Sequence, residues 1–203
     1  MENKKPNLLF FARDYQASLF PKLKSNLYNS YYVALTKKDK NILLNLKVDV
    51  KFCFEDFLID NYSDIEETEN ELLTSFYSDR FWGKYDLITR RKLLSCQFLF
   101  WDKVLNYYKP IAVVNEVVAV ENAETLYIKA KEKGIEYWAW LISAFEDKRF
   151  YWLETPFNSS LSKKVFNSKV NKESIEFSKQ YLNKMSKKYE RHPWIKKIKG
   201  RFD

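Results

Sequence analysis

The chain has 203 residues, of which 46% are hydrophobic and 18% aromatic, and a formal net charge of +8. That length suits one domain, or one domain with an appendage, and the apolar content excludes disorder and collagen-like structure. Gly83, Gly134 and Gly200 are its three glycines, so neither a GxGxxG dinucleotide turn nor a GxxxxGK[ST] phosphate loop can be written anywhere in it.

In chain order, residues 7–12 (NLLFFA) are an apolar run suited to a strand buried on both faces, and the segment from Asp14 to about Leu23 reads as helix. Residues 31–35 (YYVAL) repeat the strand, with Thr36 placed to cap a lysine-rich helix ending near Leu46. Residues 48–54 (VDVKFCF) alternate at period two and predict a third strand. From 55 to 109 the pattern is mostly helical, with an acidic stretch over 63–71 and an aromatic helix from about Tyr85 to Tyr108. Pro110 ends that helix, and residues 111–115 (IAVVN) predict the next buried strand. A helix over 117–133 follows, with Gly134 as its left-handed C-terminal residue. Residues 135–142 (IEYWAWLI) predict a strand, 148–153 (KRFYWL) an edge strand or aromatic loop, and Pro156 marks the boundary with a basic tail.

Strands separated by helices predict an α/β fold, a Rossmann-like sandwich with a mainly parallel sheet, helices on both faces and right-handed crossovers. The expected organisation is a Rossmann-like domain over 1–156, with a helical insert at about 55–109, and a basic C-terminal helical segment over 157–203. Ligands of such sheets collect outside the carboxyl ends of the strands. Those ends are Arg13 and Asp14, Thr36 and Lys37, Asn115 and Glu116, and residues 143–146 beginning at Ser143.

Asp14 and Glu116 are the candidate catalytic carboxylates, because a carboxylate at that edge can take a proton from a hydroxyl nucleophile. An acid at the start of a helix also stabilises the helix dipole, which is the competing structural role for both. Arg13 can clamp a phosphate or carboxylate through two parallel hydrogen bonds, or pair with Asp14 or Glu116. Lys37, Asn115 and Ser143 complete the substrate-binding candidates at the edge. The aromatics between Tyr137 and Trp152 form either strand core or a platform for the apolar faces of sugar rings. Glu121 and Glu124 share one helix face, where salt bridges are expected and no metal. No cofactor is expected.

Cys53 and Cys96 lie far apart in apolar runs without metal or redox spacing, so buried reduced thiols are expected. His192 is the single histidine, which excludes any site needing two. The N-terminal apolar run is too short for a signal peptide, and no stretch approaches the roughly 20 apolar residues of a membrane span, so a cytoplasmic protein is expected. The charge is uneven. Residues 157–203 carry thirteen Lys or Arg against four Asp or Glu, while the remainder carries 22 against 23. A helix capped by Asn171 and running to about Tyr189 presents Ile175, Phe177, Tyr181, Leu182, Met185 and Tyr189 on one face and lysines on much of the rest. That segment reads as a solvated helix or as a foot for anionic membrane lipid. Nucleic acid is the weaker use of the same charge, because no recognisable binding motif accompanies it.

The segments LLFFARDYQASLFPKL, AVVNEVVAVENAETLYIKAKEKGIEYWAWL and FEDKRFYWLETPFNSSL resemble the N-terminal half of bacterial capsular-polysaccharide synthesis proteins, which look like glycosyltransferases of the two-Rossmann-domain kind. The resemblance spans roughly residues 7–161 and includes Arg13, Asp14, Asn115 and Glu116. It implies an acceptor-side domain for capsule or related surface glycans, with a glycan acceptor or nucleotide sugar as ligand. It also implies a second Rossmann domain for the donor. The 203 residues leave no room for one, so the donor half is expected in a separate chain or a longer form, or the domain is a non-catalytic glycan-binding or scaffold module of a membrane-proximal assembly.

Overall fold

A computed structural model describes residues 5–23, 25–67, 82–142, 150–153, 155–157, 172–173, 175–180 and 183. The expected acidic stretch is described only as far as residue 67; Ser143 and His192 lie outside the described residues. The elements are β1 (Asn7–Ala12), α1 (Gln16–Leu19) continued by a 3-10 turn (Phe20–Lys22), β2 (Asn29–Ala34), α2 (Lys37–Asn45), β3 (Phe52–Cys53), α3 (Phe54–Asn61), α4 (Leu87–Tyr108), β4 (Ala112–Glu116), α5 (Glu121–Glu132), β5 (Glu136–Ile142) and β6 (Phe150–Trp152).

The strands form one sheet in the order β3-β2-β1-β4-β5-β6. The pairings β1 with β2, β1 with β4, β2 with β3 and β4 with β5 are all parallel. The α/β sandwich is therefore the fold, and its strand order reverses between β1 and β4. Alternation along β1 sends Leu8, Phe10 and Ala12 into one core with Ala17 and Phe20 of the α1 region and Leu43 of α2. Leu9 and Phe11 face the other core, with Phe100, Trp101 and Val104 of α4 and Leu126 and Ala130 of α5. Burying each of these large side chains contributes about 2 kcal/mol relative to exposure.

The helical stretch after β3 is a structural layer of the sheet. The buried positions of α4 include Leu93, Leu94, Gln97, Phe100, Trp101, Val104, Leu105 and Tyr108, whose three- and four-residue spacing lines one helix face. Trp101 meets Phe11 edge-on at 4.9 Å between centroids. Both cysteines are buried and unbridged.

The start of the third strand and the start of α5 differ most from expectation. The third strand shrinks to two residues because the chain before it closes α2. Lys47 is left-handed (φ 58), its N–H bonds to Leu44 O at 2.9 Å, and Val48 N–H bonds to Leu43 O at 3.1 Å. This is a Schellman closure with lysine where glycine is usual. Helix α5 starts at Glu121, four residues later than expected. Val117 N–H is spent on Trp140 O (3.1 Å) and Val118 N–H on Pro156 O (2.6 Å), which holds the chain extended there. At its other end Gly134 (φ 67) is the left-handed residue expected, with Ile135 N–H reaching Ala130 O at 2.9 Å.

The chain divides into two compact units, Met1–Leu141 with Phe150–Leu161, and Ile142–Arg149 with Ser162–Asp203. In the second, residues 172–173, 175–180 and 183 are helical. Among the described residues no helix is long and apolar enough to cross a membrane.

Candidate functional site

The reversal of strand order places the exits of β1 and β4 side by side, and three residues after β1 reach one carboxylate at the end of β4. Arg13 Nη2 lies 3.5 Å from Glu116 Oε2, Gln16 Nε2 donates to the same oxygen at 3.0 Å, and the Tyr15 hydroxyl donates to Oε1. Burial, reinforced by the Glu116 carboxylate beside it, pushes the Tyr15 hydroxyl well above its ordinary pKa and keeps it a donor. With three donors on it, Glu116 is a fixed acceptor that ties β4 to the β1 exit.

Asp14 takes a different part. Its backbone is left-handed (φ 50), a conformation that Asp tolerates better than most residues. Its N–H donates to Asp39 Oδ1 at 2.9 Å. The Asp39 carboxylate is itself buried, and its Oδ2 accepts the N–H (3.1 Å) and hydroxyl (2.7 Å) of Thr36, while Asp39 N–H returns to Thr36 Oγ1 at 3.1 Å. That reciprocal pair is a capping box at the start of α2. One carboxylate thus caps the helix and holds the backbone that presents Asp14, whose side chain is exposed.

A cavity of about 400 Å³ opens at this edge. Its polar wall is Arg13, Asp14, Thr36, Asp39, Glu55 and Asn122, and its apolar wall is Leu35, Phe54, Leu58, Trp82 and Val120. The volume lies in the range of small-molecule sites. Asn122, at the start of α5, accepts from Trp101 Nε1 at Oδ1 (2.9 Å) and at its backbone oxygen (3.0 Å). Asn122 Nδ2 and Arg13 Nε are buried atoms without a hydrogen-bond partner.

The remaining candidates divide. Asn115 is fully buried, donating from Nδ2 to the Tyr137 hydroxyl at 2.8 Å, with Oδ1 unpartnered. Burial pushes that tyrosine's pKa up, and its ring packs edge-on against Tyr127. Lys37 gives its N–H to Glu55 Oε2 at 2.7 Å and its ammonium lies 3.9 Å from Asp56, so its side chain turns to a surface ion pair. Trp152 is exposed at the β5–β6 edge with its ring 6.3 Å from that of Trp138. Neither Lys37 nor Trp152 is part of the cavity wall. The single aromatic platform does not form, because strand alternation sends Tyr137 to the α4–α5 core and Trp140 to the opposite core, edge-on to Phe20 at 5.7 Å.

The helix-capping alternative for Asp14 and Glu116 also gives way. The residue at the start of α1 is Tyr15 and that at the start of α5 is Val120, and the acids in the first turn of α5 are Glu121 and Glu124. Glu121 is fully buried, 3.4 Å from Arg90 Nη2 and accepting Gln97 Nε2 at 2.9 Å, which is the ion pairing expected for it. Sequence reasoning missed Tyr15, Gln16, Asp39 and Asn122. The TKKD run at 36–39 signals Asp39 through its capping-box spacing, whereas the others depend on which elements meet in space.

No protein-family model and no curated protein matches the chain. Among solved structures it is similar to a UDP-N-acetylglucosamine 2-epimerase, with TM-score 0.44 and 13% identity over 71% of this chain and 35% of that one. It is similar to the UDP-GlcNAc 2-epimerase from Neisseria meningitidis bound to UDP-GlcNAc, with TM-score 0.42 and 10% identity over 70% and 33%. A third similarity is to pantoate-beta-alanine ligase from Francisella tularensis complexed with beta-gamma ATP and beta-alanine, with TM-score 0.42 and 16% identity over 68% and 59%. The chain thus spans about a third of either epimerase and 59% of the ligase.

Proposed function

We propose that the chain is the acceptor-side half of a glycosyltransferase of capsular or other surface polysaccharide synthesis, with the donor nucleotide sugar held by a second Rossmann unit in a separate chain or a longer form. The observation that carries this reading is the cavity at the strand-order reversal, where a presented carboxylate, Asp14, stands over an apolar floor. The sequence resemblance over residues 7–161 agrees with it. In the reaction, Asp14 takes the proton of an acceptor hydroxyl, the freed oxygen attacks the anomeric carbon, and the bond from that carbon to the nucleoside diphosphate breaks. Glu116 holds Arg13, Tyr15 and Gln16 in place and serves as a positioning residue. Arg13 and Asn122 supply donors toward acceptor oxygens.

The test has two arms. Calorimetric titration of the chain with UDP- and CMP-sugars is expected to show no binding, and an array of bacterial surface glycans is expected to show binding that Asp14→Asn lowers at most about threefold. In the intact system, Asp14→Asn is expected to reduce transfer by at least 100-fold, the typical weight of general base catalysis. Failure to bind any glycan, together with unchanged transfer, overturns the proposal.

A second reading, a scaffold at an anionic membrane, draws on the basic 157–203 segment, in whose helical residues Ile175 and Phe177 are about half exposed (45% and 50%) beside Lys172 and Lys179. Pelleting with anionic vesicles that weakens as salt rises favours it, and absence of pelleting removes it.

A further inference from the structure

The charge around the cavity decides which acceptors can enter it. Three carboxylates stand in its wall, Asp14, Asp39 and Glu55, against one guanidinium, Arg13. The guanidinium is paired at 3.5 Å with Glu116, so its charge is already answered. The groups that bond Asp39 and Glu55 are backbone amides and the Thr36 hydroxyl, and the helix N-termini of α2 and α3 on which the two acids sit bring only about half a positive charge each, which offsets each carboxylate in part. The N-terminus of α5 brings a partial positive charge of about half a unit, less than the charge of one carboxylate. Three carboxylates against one guanidinium give the wall a formal charge of −2.

The same wall carries features for an uncharged ligand. Trp101 Nε1 must donate, so it orients the Asn122 amide with the oxygen toward the indole. Nδ2, on a residue 2% exposed and without a partner, is the arm left in the cavity wall. Trp82 and Phe54 line the cavity and supply aromatic surface for the C–H groups of a sugar. The carboxylates accept hydroxyl hydrogens, which a sugar has in excess.

We infer that the cavity selects uncharged sugar residues and rejects uronic and other acidic sugars by like-charge repulsion from Asp14, Asp39 and Glu55. This rests on the glycan reading above and replaces the expectation that Arg13 clamps an anionic acceptor group.

The experiment compares the methyl glycoside of glucose with that of glucuronic acid, and the galactose pair likewise, by saturation-transfer NMR and tryptophan fluorescence on the full chain. Each pair differs only at C6, where a hydroxymethyl replaces a carboxylate. In low salt the neutral member is expected to bind at least about tenfold tighter, and the ratio is expected to shrink as salt screens the wall. Glu55→Gln keeps the acceptor for Lys37 N–H and Asp14→Asn keeps a residue that tolerates the left-handed backbone, so both variants retain the local geometry. Glu55→Gln alone is expected to narrow the ratio, and the double variant to bring it within about threefold. A uronide that binds as tightly as its neutral partner, or a ratio unmoved by both variants, overturns this inference and leaves the glycan reading standing. Binding of neither member overturns this inference, and joined to unchanged transfer by Asp14→Asn and no binding on the glycan array it overturns both.

Discussion

Two arginine–glutamate pairs of nearly equal length sit in contrasting settings. Arg90 and Glu121 are 3.4 Å apart with side chains 9% and 0% exposed, enclosed between α4 and α5. Arg13 and Glu116 are 3.5 Å apart with side chains 11% and 20% exposed, at the mouth of a cavity. The first carboxylate also takes the Gln97 amide, and Thr125 Oγ1 donates to Gln97 Oε1 at 3.1 Å, so the pair belongs to a network that locks two helices. The second gathers Arg13, Tyr15 and Gln16 but leaves Arg13 Nε, Gln16 Oε1 and, one residue along, Asn115 Oδ1 without partners. The first pair is enclosed in the helical layer and joins two helices, whereas the second borders open space at the strand exits.

The largest expected effect follows from the enclosed pair. Glu121→Ala removes the carboxylate that faces a buried guanidinium and the Gln97 amide, and is expected to cost about 3–5 kcal/mol in urea unfolding. Glu116→Ala leaves Arg13 next to water and is expected to cost about 1–2 kcal/mol, with a clear loss of glycan binding. Equal costs for the two would erase the distinction drawn here.

Alkaline titration sharpens the same contrast on the α4 side. Burial pushes the Cys96 thiol from 9.0 up to about 11 and the Tyr108 hydroxyl from 10.0 up to about 12. Both groups are protonated when folded and ionise earlier when unfolded, so their contribution is complete below pH 9 and is lost as pH rises through 11 and 12. Melting temperature is therefore expected to be level up to about pH 9 and to fall above it, and Cys96→Ala to flatten the first part of the fall.

The smallest effects belong to two left-handed residues. Lys47→Gly, in the α2 closure, is expected to stabilise by up to about 1 kcal/mol without touching ligand binding. Asp14→Gly is expected to change stability by a similarly small amount while abolishing transfer in the intact system. Thermal melts beside activity measurements separate the two.

Much of the fold is legible in the sequence because the strands are buried runs. The expected 7–12 strand coincides with β1, and β4 and β5 begin one residue later than read, since apolar stretches bounded by Asp, Pro and Gly admit few alternatives. The α5 start is not legible, because residues 117–120 are apolar in either conformation and only their bonds to Trp140 and Pro156 decide it. In the site, Arg13 and Glu116 are legible from the rule that strand exits converge at a topological reversal. Gln16 and Asn122 are not, because an amide side chain acquires its meaning from the carboxylate or indole across from it. The failed aromatic platform was avoidable, since Tyr137 and Trp138 are adjacent on a strand and must face opposite ways.

Asp39 has a mechanical consequence. Its carboxylate is shared between the first turn of a helix and the exit of the central strand, so the two cannot move independently without breaking at least one of three hydrogen bonds. Helix α2 works as a lever pinned at that carboxylate, and its lysine-rich outer surface is the handle. A load there that unwinds or tilts the first turn withdraws the support beneath Asp14 and shifts Asp39 in the cavity wall at the same time.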